Sequence, residues 1–215
     1  MSFAINRVGV ALLGCLLLAA CSTAYYKAME GIGFEKREIL VDRVEEARDA
    51  QDDAAEQFAS ALEQFRSIVQ VDGGELEKTY DRLSQEYERS LSRANEVSDR
   101  IDSVARVAED LFEEWEAELG EYTSEGLRRE SSSLLNDTRS RYRQLMSAMR
   151  RAEASMPPVL DAFQDQVLVL KHNLNARAIG ALRGEMDNIE RDTEALIAEM
   201  QRAIGEANSF INSME

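Results

Sequence analysis

Apolar residues recur three and four positions apart along most of this chain, and its only prolines are the adjacent Pro157 and Pro158. That period gathers apolar side chains on one stripe of an α-helix; a half-buried strand would alternate instead. Val44, Gln51, Phe58 and Phe65 form one series at intervals of seven, with Leu40, Ala47, Ala54, Ala61 and Ile68 as a second, predicting a first helix over residues 35–71. Asp72-Gly73-Gly74 ends it, because glycine takes the left-handed capping conformation without steric cost. Tyr80, Tyr87, Ala94, Ile101, Ala108, Trp115 and Tyr122, flanked by Leu76, Leu83, Ser90, Val97, Val104 and Leu111, predict a second helix over 75–122. A strict interval of seven implies a left-handed supercoil, with Tyr87 and Trp115 facing inward.

A turn at residues 120–126 (GEYTSEG) leads into a third helix over 127–156, carried by Leu135, Tyr142, Met149 and Met156. Pro157 reads as the start of a new element: its fixed φ suits a first helical turn, and the residue before a proline resists α geometry. The remainder, 159–214, holds the one irregularity. Leu160, Val167, Leu174 and Ala181 keep one register, while Leu182, Ile189, Leu196, Ala203 and Phe210 keep another, one residue out of phase. No proline or polar turn cluster interrupts this stretch. The expectation is one long helix kinked or broken near 176–184, with Gly180 and Gly184 allowing a kink or close packing; a turn there would make a fifth helix folded back along the body. The fold expected is all-α, an elongated antiparallel bundle or coiled coil of four long helices, one domain over 35–215.

The amino terminus carries an address. Arg7 precedes an apolar run from Val8 to Leu18, and Ala19 and Ala20 follow, which is the order of a secretory leader. The run is too short to cross a bilayer core of ~30 Å as a helix. Leu18-Ala19-Ala20-Cys21 resembles the bacterial lipobox, so residues 1–20 are expected to be removed and Cys21 to carry the lipid. Residues 21–34 then form a lipidated tether. Ser22 after the cysteine implies, by resemblance to enteric lipoproteins, the periplasmic side of the outer membrane rather than the inner membrane. Cys15 leaves with the leader, so the exported body has no disulfide and depends on packing alone.

Charge narrows the partners. The chain has 25 basic and 41 acidic residues, a formal net charge of −16, and loses one more positive charge with Arg7. Nucleic acid and anionic headgroups repel such a surface. In a folded bundle, Arg139, Arg141, Arg143, Arg150 and Arg151 are expected to face the acids between Glu45 and Asp53. The acidic stretch from Glu109 to Glu121 is expected to have less to match it.

The segments YYKAMEGIGFEKREILVDRVEEARDAQ, VDGGELE, LFEEWEAEL and MRRAEASMPPVLDAFQDQVLVLKHNLNARAI together resemble a family of Gram-negative lipoproteins of unknown function. The resemblance covers the mature chain and implies a lipoprotein class with coiled-coil character. It implies no reaction, ligand or partner.

Candidate chemistry is sparse. His172 is the only histidine, and the Glu-x-x-His spacing of a carboxylate-bridged metal site fails because residue 169 is Val. Neither glycine pair sits in a phosphate-loop context. The expectation is therefore a non-enzymatic chain without metal or cofactor. One segment exceeds what a surface helix requires. Val167 to Leu170 is apolar all round, and Lys171, His172, Asn173, Asn175 and Arg177 follow directly. Leu170, Lys171, His172, Asn173, Asn175 and Arg177 form the candidate recognition patch, with a polar cap on a narrowing core as the plainer reading. The function these features favour is a lipid-anchored scaffold or adaptor that binds an envelope protein. The alternative is a bundle that holds a small or lipidic ligand between its helices.

Overall fold

A computed structural model describes residues 36–69, 76–172 and 176–214. They form four helices: α1 (Lys36–Val69), α2 (Leu76–Glu118), α3 (Glu125–His172) and α4 (Ala176–Met214), with no strand among the described residues. Cross-helix pairs fix the topology. Glu46 meets Arg100 at 2.9 Å and Asp53 meets Arg93 at 3.2 Å, so α1 and α2 run antiparallel. Asp102 with Arg150 (2.5 Å) does the same for α2 and α3, and Arg151 with Glu199 (3.9 Å) joins α3 to α4. Arg48 donates to Asn208 at 3.3 Å while Arg66 pairs with Glu194 at 3.1 Å, which closes α4 against α1. The result is an up-down-up-down four-helix bundle.

Its core is the heptad stripe. Leu40, Val44, Phe58 and Phe65 of α1, Leu83, Val97, Ile101 and Val104 of α2, Leu145, Met149, Met156 and Phe163 of α3, and Leu182, Leu196, Met200 and Phe210 of α4 are all buried. Ala47, Ala54 and Ala61 are buried completely, so larger side chains of neighbouring helices fill the space beside α1. Tyr87 and Trp115, expected inward and substantially buried, pack against the core but are only half-buried.

Two exceptions within that stripe are buried without a hydrogen-bond partner, Ser90 of α2 and, with the larger polar group, Gln51 of α1. Gln51 occupies the heptad series of Val44 and Phe58, is fully buried, and neither atom of its amide has a hydrogen-bond partner. Thr193, equally buried, satisfies its hydroxyl on the Ile189 carbonyl at 2.7 Å. An unsatisfied buried polar group costs ~1–3 kcal/mol, so Gln51→Leu is expected to raise stability by about that amount in urea unfolding. A fall in the midpoint would show that the amide contributes to packing or specificity.

Two boundaries differ from the sequence reading. The helix over 127–156 does not stop at Pro157: α3 runs through both prolines to His172. A proline inside a helix costs ~3 kcal/mol. Against this, Ala152, Met156, Val159, Leu160 and Phe163 keep one buried stripe across the site, and burying each large apolar side chain contributes ~1.5–3 kcal/mol. The prolines themselves are exposed, so the carbonyls they deprive, at Glu153 and Ala154, can be hydrated. The second correction concerns the stretch near 176–184, where a kinked continuous helix was expected. α3 ends at His172 and α4, beginning at Ala176, packs back along it. The phase slip is the change from one helix to the next, and the four helices arise by moving a turn rather than adding one. Gly180 and Gly184 are exposed, and an added Cβ on either would meet nothing within 4 Å, so they mediate no close crossing.

Between α2 and α3 the chain reverses tightly. Leu119, Gly120 and Glu121 donate back to the carbonyls of Trp115, Ala117 and Glu118 at 3.1, 3.1 and 2.9 Å. A Cβ on Gly120 would stand 3.3 Å from the Ala117 oxygen, a tight contact that favours glycine there. Ser124 caps α3, its hydroxyl accepting from the Leu127 amide at 3.4 Å.

Candidate functional site

The all-round apolar turn divides by direction. Val167 and Leu170 point into the core and Val169 is half-buried, whereas Leu168 is 42% exposed. Leu170 is therefore core and not part of an accessible patch. Lys171 and His172 are exposed at the end of α3. Asn173 and Asn175 lie outside the described residues, and Arg177 is placed only as backbone in the first turn of α4. The expected patch thus contributes Lys171 and His172 to one surface.

That surface has a shape the sequence reading did not anticipate. An open groove of about 910 Å3 lies between the end of α3 and the first half of α4. Gln166, Val169 and His172 of α3 face Asn188, Ile189 and Asp192 of α4 across it, with Leu168 on the rim. Ile189 and Gln166 are buried and form the floor. The α4 rim is ordered by a chain of polar contacts: Asn188 donates to Glu185 at 3.1 Å, and Arg191 donates to Asn188 at 3.2 Å and to Asp192 at 3.1 Å. A floor of one apolar and one amide side chain between polar walls suits a side chain or short segment of another molecule better than it suits bond chemistry. The α4 half went unnoticed because Glu185, Asn188 and Asp192 read individually as an ordinary solvated face. Only the hairpin brings them opposite His172.

Charge matching also differs from expectation. Arg139 and Arg150 pair with Glu116 and Asp102 of α2, not with α1. Acids of α1 are met by Arg93 and Arg100, also from α2, because consecutive helices are neighbours. The stretch from Glu109 to Glu121 is partly matched, Glu114 by Lys36 at 2.9 Å and Glu116 by Arg139. The Arg139 hydrogen bond holds the Glu116 carboxyl below its ordinary range. Arg139 also lies over the Phe112 ring, 5.2 Å from its centroid, and Phe112 meets Tyr142 edge-on at 5.3 Å. Burial there pushes the Tyr142 phenol up. These contacts lock α2 to α3 and carry no evident chemistry.

Among the described residues no helix is long and apolar enough to cross a membrane. Cys21 and the leader lie outside the described residues. Comparison with curated proteins and with solved structures finds no match. A family described as a protein of unknown function, DUF2959, matches residues 25–214, nearly all of the chain, and the chain belongs to that family.

Proposed function

We propose that this chain is a non-enzymatic scaffold or adaptor, anchored by a lipid on Cys21 to the periplasmic side of the outer membrane, which receives a protein partner in the α3–α4 groove. The observation that carries the reading is Leu168, a large apolar side chain left in solvent beside a groove floored by Ile189 and Gln166 between polar walls. The leader, the Leu18-Ala19-Ala20-Cys21 motif and the acidic balance support the address. A helix of 48 residues such as α3 spans ~72 Å, a length suited to presenting a contact surface well away from the bilayer.

The test places a photoreactive residue at Asn188, across the groove from Leu168, in intact cells. A single adduct of defined mass is expected, and Leu168→Asp should abolish it while leaving unfolding within ~0.5 kcal/mol, as for other exposed sites. In the same strain Cys21→Ser should remove palmitate labelling of the chain. Adducts that survive Leu168→Asp would defeat the groove, and labelling that survives Cys21→Ser would defeat the anchor.

A further inference from the structure

The four helices do not end together. Lys36, the first described residue of α1, pairs with Glu114, and α4 finishes at Met214, only six residues beyond its contact with Arg48. α2 continues past that level to Glu118, and α3 begins at Glu125, some thirteen residues before the bundle acquires its other two helices near Thr138. This stretch of α3 is ~20 Å long at 1.5 Å per residue, against ~6 Å of α2 from Glu114 to Glu118, so a tip made of the start of α3 and the end of α2 stands out from the bundle.

Beside the face that meets α2, where Leu135 is buried, the tip leaves large apolar side chains exposed. Leu127 and Leu134 are 56% and 55% exposed, and Tyr122 is 41% exposed. Leu127 and Leu134 fall on the same heptad position as Ala148, Ala162 and Val169. Further along α3 that position carries the exposed Arg141 and then turns inward: Ala148 is buried, and Ala162 and Val169 line the cleft against α4. Trp115 and Leu119 border the tip from α2, half-buried, with the Trp115 indole N–H donating to Ser131 at 2.9 Å.

We propose that residues 25–35 of this chain lie across the α2–α3 tip and cover Trp115, Leu127 and Leu134. They lie outside the described residues and join α1 at the level where the tip begins. Phe58 and Phe65 of α1 flank Phe163 of α3, so α3 runs about a hundred numbers ahead of α1, and the axis of α1 extended beyond Lys36 passes Leu134 and then Leu127. Even in its shortest regular form, a helix, eleven residues reach ~16 Å, most of the length of the tip. The composition fits: Tyr25, Tyr26, Met29, Ile32 and Phe34 supply apolar surface, and Lys27 with Lys36 and Arg37 face an acidic neighbourhood from Glu113 to Glu121. The family match begins at Tyr25, so this segment belongs to the family's shared length rather than to a linker outside it. The inference stands whether or not Cys21 carries a lipid. If it does, only Ser22, Thr23 and Ala24 separate the anchor from the folded body, which holds the tip close to the bilayer.

Trp115 is the only tryptophan, and Cys15 and Cys21 are the only cysteines, so both probes are clean. In the full chain carrying Cys15→Ser and Cys21→Ser, a short bismaleimide should join Ile32→Cys to Leu134→Cys within one molecule, seen as a faster-migrating monomer. Ile32→Cys with Ser60→Cys should not be joined. Separately, changing Tyr25, Tyr26, Ile32 and Phe34 to Ser should raise acrylamide quenching of Trp115 about twofold as one face of the indole opens to water. Four overturning results are distinguishable: no intramolecular product, a crosslinked dimer (a second copy covers the tip), quenching unchanged by the serine variant, or shielding of Trp115 that arises only with phospholipid vesicles. Failure of the serine variant to fold leaves the crosslink as the deciding measurement.

Discussion

Replacing Phe163 by Ala is expected to lower the stability of the bundle by ~3–5 kcal/mol, read as a shift in the urea midpoint at nearly constant slope. Phe163 is fully buried, stacks on Phe65 with centroids 4.6 Å apart and planes 17° apart, and lies 6.2 Å from Phe58. It therefore ties α3 to α1 across the bundle at the level where α4 is held to α1 by Arg66 with Glu190 and Glu194. Surface pairs of that kind contribute ~0–1 kcal/mol each, so the aromatic cluster, not the charges, decides the stability of this end. Phe163→Leu should recover part of the loss. A melting temperature that barely moves in Phe163→Ala would mean that the α1–α3 seam is not the core.

The heptad pattern made most of the architecture legible. In α1 and α2 the series through Phe58, Phe65, Leu83, Val97 and Ile101 is the observed core, because a long amphipathic helix has few ways to bury its stripe other than against three others. Turns were less legible. Pro157 carries a strong local signal for a helix start, but tertiary burial on both sides of it outweighs a local preference worth ~3 kcal/mol. At 173–175 the reverse holds. Asn173 and Asn175 are residues that turns favour, yet with no Gly or Pro beside them they read as a recognition patch rather than as a reversal. The one-residue slip between about Asn175 and Leu182 was the visible trace of that reversal, since a helix folding back has no obligation to keep the register of the one before it.

The candidate site was legible only on its α3 side. Leu168 stands out from sequence as part of an apolar turn that no single stripe can bury, and the structure leaves it in solvent. Its counterparts Asn188, Ile189 and Asp192 lie twenty or more residues further on, and nothing local marks them as facing it. A groove between helices is a property of the hairpin, so it becomes readable only once the turn between them is placed correctly.

The double substitution Pro157→Ala with Pro158→Ala is expected to stabilise the protein by ~4–5 kcal/mol. Inside a helix each proline removes a backbone hydrogen bond and crowds the preceding turn, at ~3 kcal/mol; alanine returns both, less ~0.4–1 kcal/mol per site because the unfolded chain becomes freer. At the first turn of a new helix the sign would reverse, since proline there lacks only a hydrogen bond that no residue could make, and its fixed φ lowers the entropy of the unfolded state. Because Pro157 and Pro158 are exposed, the substitution leaves no cavity and the measurement isolates the backbone. Met156 and Val159 on either side stay buried in both forms, so helicity should hold while the urea midpoint rises. A midpoint that falls or stays still would mean that the chain makes a helix start at Pro157, with Phe163 brought to Phe65 by a separate element.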